Sequence, residues 1–154
     1  MALCLMWVKR MNNIEEFAFP KKTIKPRSAL RESMFWVMRD EDKTRFTLNS
    51  EREESAGMLS MANTYMMAFA VGYHFNKKKK IASGAINHVN VSSMDEDFKR
   101  LAVTLVLKRS PKLNDAEDVW AEINEYAEYG VEVLFVNWKK NKILDIASIL
   151  DYKE

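Results

Sequence analysis

Two clusters of side chains in this sequence could do chemistry. Lys77, Lys78, Lys79 and Lys80 form an unbroken basic run, and Lys21, Lys22, Lys25 and Arg27 lie close together near the start. What such groups do best is attract polyanions. Each phosphate neutralised by lysine or arginine releases condensed counterions, which makes nucleic acid the natural ligand. Lys99, Arg100, Lys108 and Arg109 extend the same basic character. Each cluster also has a plainer reading. The lysine run follows an apolar stretch, where cations offset the dipole of a helix C-terminus, and the first cluster suits a solvated linker.

Other chemistry finds little support. The chain has no phosphate-cradling glycine loop, no Cys-x-x-Cys, no His-Glu-x-x-His and no Gly-x-Ser-x-Gly. His74 and His88 are the only imidazoles, and neither has a neighbour in sequence with which to act as a base. Glu117, Glu122, Glu125, Glu128 and Glu132 recur at the spacing of a solvated helix face. The expectation is a protein that is not an enzyme and carries neither cofactor nor metal.

The elements that must position the basic groups read as helical. The chain has 154 residues, 47% hydrophobic and 30% charged, a balance suited to one folded domain. Four glycines and three prolines are too few for the turns of a sandwich or barrel. A single cysteine, Cys4, excludes an internal disulfide framework and points to the cytoplasm. The net charge of +2 conceals a dipole: residues 1–110 hold 19 Lys/Arg against 12 Asp/Glu, residues 111–154 hold 5 against 10. The acidic end could neutralise the basic body of a second copy, so a homo-oligomer is a further expectation.

The centre of the chain is residues 64–81, TYMMAFAVGYHFNKKKKI, uncharged until the lysines. Too short to span a bilayer, it predicts a core helix and no membrane partner. Tyr65, Met66, Phe69, Ala70 and Tyr73 fall on one face, and Ala68, Val71 and Gly72 leave the other small enough for a helix to approach closely. Ser93 with Glu96 and Asn114 with Glu117 predict capping boxes for two later helices. The first buries Phe98, Leu101, Ala102, Leu105 and Val106. The second buries Val119, Trp120, Ile123, Tyr126, Ala127, Val131 and Leu134. Gly130 either ends that helix or permits close packing, because VEVLFVNW after it has strand-forming residues. Residues 143–150 predict a short last helix, and 81–92 a connection with one short strand.

Upstream, residues 1–27 read as an N-terminal extension and basic arm, and 28–154 as a single helical domain. Residues 1–10 are an upstream translation extension, with Met11 as the start, or a stub docked on the core. Ser28 is a candidate cap for a helix over 28–39, with a strand through Phe35-Trp36-Val37 as the alternative. Residues 45–49, RFTLN, alternate like a strand, and Ser50 with Glu53 predicts a helix after it. A strand followed by two helices is also the order of ribbon-helix-helix DNA binders, in which Arg45, Thr47 and Asn49 would face the bases. The fold class expected is mainly α, one compact domain of about five helices with a small β element.

The phrase MAFAVGYHFNKKKKI at 67–81, followed by EYAEYGVEVL at 125–134, resembles small accessory proteins encoded with Dnd DNA-phosphorothioation modules. Their pattern is an apolar run, FAA-x-GY and a basic segment, then EYA-x-G-x-x-x-L. The likeness covers residues 64–135, and Ala68-Phe69-Ala70-Val71 departs from its order. It implies a setting of DNA modification and phage defence, with partner proteins of such a complex, and carries over no catalytic residue. The alternative expectation is an interaction or oligomerisation module without DNA contact.

Overall fold

The structure, a computed structural model, describes residues 2–35, 61–141 and 146–151. The protein is mainly α, with five α-helices and one two-stranded sheet among these residues. Helix α1 is Ala2–Ala18, β1 is Arg27–Ser28, and one π-helical turn covers Arg31–Phe35. Then come α2 (Met61–Phe75), β2 (Ile86–Asn87), a 3-10 turn (Val91–Ser93), α3 (Glu96–Arg109), α4 (Ala116–Asn141) and α5 (Ile146–Leu150). The strands pair antiparallel, Arg27 opposite Asn87 and Ser28 opposite Ile86. The predicted strand 45–49, its Arg45, Thr47 and Asn49, and the capping box at Ser50 lie outside the described residues.

Helix α4 is the axis of the core, and α2 is its main partner. Ile123, Val131 and Leu134 are fully buried there, each contributing about 2 kcal/mol by the removal of apolar surface from water. The predicted small face of α2 is the one that meets α4. A Cβ at Gly72 would overlap the Tyr126 carbonyl, and one at Gly130 would overlap that of Ala68, so the two backbones cross in direct contact. Gly130 thus serves packing. The helix runs on through VEVLFVNW because Val131, Leu134 and Trp138 continue its buried stripe, and that burial overrides strand propensity.

Several local expectations are corrected. On α2, Ala70 is exposed and Met66 half-buried, while Thr64 is buried. The helix stops at Phe75, with Asn76 left-handed at φ 51°, so the lysine run follows the helix as a separate segment. The cap of α3 is Asp95, whose carboxylate accepts from the Phe98 amide at 2.9 Å, because Ser93 is taken up in the 3-10 turn. Asp115 caps α4 in the same way through the Asp118 amide at 2.8 Å, one position after the expected Asn114. Leu101 turns outward at 56% exposed, and Val103 takes its place in the core. Ser28 ends β1, and its hydroxyl accepts from the Leu30 amide at 3.0 Å just ahead of the turn at Arg31–Phe35.

Residues 1–10 are not a separate stub. From Ala2 onward they belong to α1, which runs through Met11 and whose far end, Phe17 and Ala18, lies in the common core. Trp120 donates its indole N–H to the Phe17 carbonyl at 2.8 Å, fixing that end of α1 to α4. No described helix is long and apolar enough to cross a membrane.

Candidate nucleic-acid interface

The basic arm leaves α1 through Pro20 and is pinned by its backbone. The Ile24 carbonyl accepts from the Val91 amide at 3.1 Å and the Pro26 carbonyl from the His88 amide at 2.8 Å. Asn124 on α4 donates its side-chain amide to the Arg27 carbonyl at 2.7 Å. The Arg27 guanidinium reaches across and donates to the Ala85 carbonyl. On the other side the lysine run is seated on α4, with the Lys79 amide donating to the Glu125 carbonyl at 3.0 Å.

Between these two segments lies an open cleft of about 780 Å³. Lys25 and Arg27 line one side and Lys80 the other, over a floor of α4 that includes Trp120 and Asn124. Glu117 and Glu125 also line it. Glu117 and Glu125, read from the sequence as part of an ordinary solvated face of α4, therefore border the cleft, and nothing in their spacing distinguishes them from the other carboxylates of that face.

The predicted basic residues do not all face this space in the same way. Lys22 pairs with Glu117 at 2.5 Å, Lys78 with Glu122 at 3.2 Å and Lys79 with Glu132 at 2.9 Å. Lys77 stands 5.9 Å from the centre of the Tyr129 ring, and Lys78 lies 5.7 Å from that of Tyr126. Among the described residues no ion pair holds Lys21, Lys25 or Lys80. The run is thus stapled along α4, and Lys80 is the member that lines the cleft.

Beneath the arm is a buried polar cluster that the sequence did not reveal. Glu128, expected on the solvated face of α4, is buried and accepts from the Ser28 hydroxyl at 2.7 Å and the Ala29 amide at 3.0 Å. Burial raises its pKa, while those hydrogen bonds and the Lys79 charge act the other way. Tyr65 donates to the Asn124 side-chain oxygen at 3.4 Å, and burial, then the Glu128 charge, push its phenol well above the usual range. His88 is buried with its ring 5.7 Å from that of Tyr65; burial, then the Arg31 charge, lowers its pKa to about 4. This cluster clamps β1 to α4 and so holds the arm at the cleft. His74, the other imidazole, is exposed, with Nε2 3.4 Å from the Leu150 carbonyl.

No protein-family model matches this chain, and neither a curated protein nor a solved structure shows significant similarity to it.

Proposed function

We propose that the protein is a non-enzymatic accessory subunit that contacts DNA, or a DNA-bound partner, through the basic cleft. The observation that carries this reading is the convergence of Lys25, Arg27 and Lys80 on one open cleft from segments far apart in sequence. The setting of DNA modification or phage defence comes from the resemblance of residues 64–135 alone. Lys22 is exposed and Lys78 and Lys79 partly so, and ion pairs open to solvent are weak, so an approaching phosphate can compete with them. Glu117 and Glu125 limit the cleft to a few phosphate contacts.

The test is a fluorescence-anisotropy titration of duplex DNA at several salt concentrations. Lys25→Ser with Lys80→Ser should flatten the dependence of log affinity on log salt by about two units, one for each lost contact. Lys78→Ser with Lys79→Ser should change it less, because those amines already face carboxylates. No binding at low salt, where attraction is strongest, would remove direct DNA contact. That outcome would favour the second reading, a protein-interaction module. The stapling of Lys78 and Lys79 to α4 carboxylates speaks for it.

A further inference from the structure

The arm that borders the cleft also walls a second, smaller space. Thr23 and Ile24 line both, and the second is a pocket of about 210 Å³ between the end of α1, the arm, the 3-10 turn and α3. The bond from the Val91 amide to the Ile24 carbonyl holds two of its walls together. Lys21, Lys22 and Lys99 meet there with the hydroxyl residues Thr23 and Ser92, and no described carboxylate belongs to the lining. Lys99 is the unusual member, because it is only 6% exposed. Its ammonium stands 4.6 Å from the centre of the Phe19 ring, itself a wall of the pocket, and among the described residues no side-chain or backbone oxygen accepts from it. The acids around it are engaged elsewhere. Asp95 accepts from the Phe98 amide, Glu96 and Asp97 lie 3.9 and 3.6 Å from Arg100, and Glu117 pairs with Lys22. Taking an ammonium out of water is costly unless an anion answers it, and one aromatic face offsets only part of that cost.

We propose that this pocket binds a phosphate group, as the free ion or as a small phosphate monoester, with Lys99 at its floor and the exposed Lys21 at its mouth. The charges select such a ligand: a phosphate monoester is close to a dianion at neutral pH, and its oxygens can accept from ammonium groups and hydroxyls together. A carboxylate brings a single charge to the same three cations. The size selects it too, since the pocket holds a tetrahedral anion and no stretch of duplex. A ligand therefore enters by its phosphate and leaves the rest outside. Lys21 and Lys22 belong to the arm and Lys99 to the first turn of α3, so the bound anion ties the arm to that helix. The site is separate from the cleft and does not depend on DNA binding there.

Calorimetric titration of the full chain at constant ionic strength tests it, with inorganic phosphate and thymidine 5′-monophosphate as ligands and acetate and thymidine as controls. Both phosphates should bind, and acetate and thymidine at least about tenfold more weakly. Either ranking of the two phosphates supports the site: equal affinities point to the phosphate alone, and a tighter monophosphate points to an ester. Lys99→Met keeps an unbranched stem and removes the charge. It should melt at or above the wild-type temperature and bind phosphate at least about tenfold more weakly. Phosphate should raise the melting temperature of the wild type and leave that of Lys99→Met unchanged. Lys21→Ser, on the exposed arm, should melt like the wild type and bind phosphate several-fold more weakly, and it decides the matter if Lys99→Met does not fold. No binding of either phosphate would overturn the proposal. So would acetate binding as tightly as phosphate, or undiminished phosphate binding by either folded variant.

Discussion

His88 should make the protein sensitive to acid in a defined window. Its folded-state pKa is about 4 against 6.5 for an ordinary histidine, chiefly because burial disfavours the charged ring and secondarily because Arg31 repels it. Between pH 6.5 and about 4 the unfolded chain binds a proton there and the folded chain does not. The stability associated with neutral His88 is therefore complete above pH 6.5 and is lost as the pH falls through about 4. A shift of this size corresponds to about 3 kcal/mol, a large share of the total stability of a small domain. Glu128 acts with the opposite sign. Its raised pKa means that its burial costs least below the ordinary carboxylate range and most above its folded value. A plain pH profile would mix the two, so the comparison needed is wild type against His88→Gln in urea denaturation across this range. The difference between the two proteins should shrink by about 3 kcal/mol from neutral pH to about pH 4. A pH-independent difference, or an NMR titration of the His88 ring with a midpoint at 6.5 or above, would refute the reasoning.

Ser28→Ala should lower stability by about 1–3 kcal/mol, because a buried carboxylate loses a donor. The deficit should shrink in acid as Glu128 takes up a proton, and a deficit unchanged with pH would show that the hydroxyl acts elsewhere. Gly72→Ala should lower the unfolding free energy in urea by at least about 1–3 kcal/mol, as overpacking does, since the new methyl meets backbone and not a movable side chain; an unchanged stability would mean that the two helices part without cost.

Much of the helical framework was legible because burial along α2, α3 and α4 repeats at the helical period over many turns. Cap positions were less so. Ser93, Asp95 and Asn114, Asp115 are all good capping residues within a few positions of each other, and the choice depends on how the preceding turn is wound. Glu128 could not be read at all. Its spacing matches that of Glu125 and Glu132, and it is buried only because β1, from a hundred positions away, docks on that side of α4. The basic arm and the lysine run were each visible, but their meeting across the cleft depends on the Pro26–His88 and Lys79–Glu125 backbone bonds, which leave no periodic trace.

The glycine-lined crossing of α2 and α4 has a consequence for the order of folding. Tyr65 and Asn124, which meet along it, are 59 positions apart, and the length-dependent entropy of closing such a loop is roughly 3–4 kcal/mol. By contrast, α3 and α4 are joined by a short turn, and the Ser110 hydroxyl reaches Glu122 only 12 positions on. The hairpin of α3 and α4 can therefore form first on local contacts. At Gly72 and Gly130 the crossing is backbone against backbone, and so close a fit tightens only when the helices are already aligned. Contacts completed that late act mainly on the rate of unfolding, and it is there, more than in refolding, that the effect of Gly72→Ala is expected.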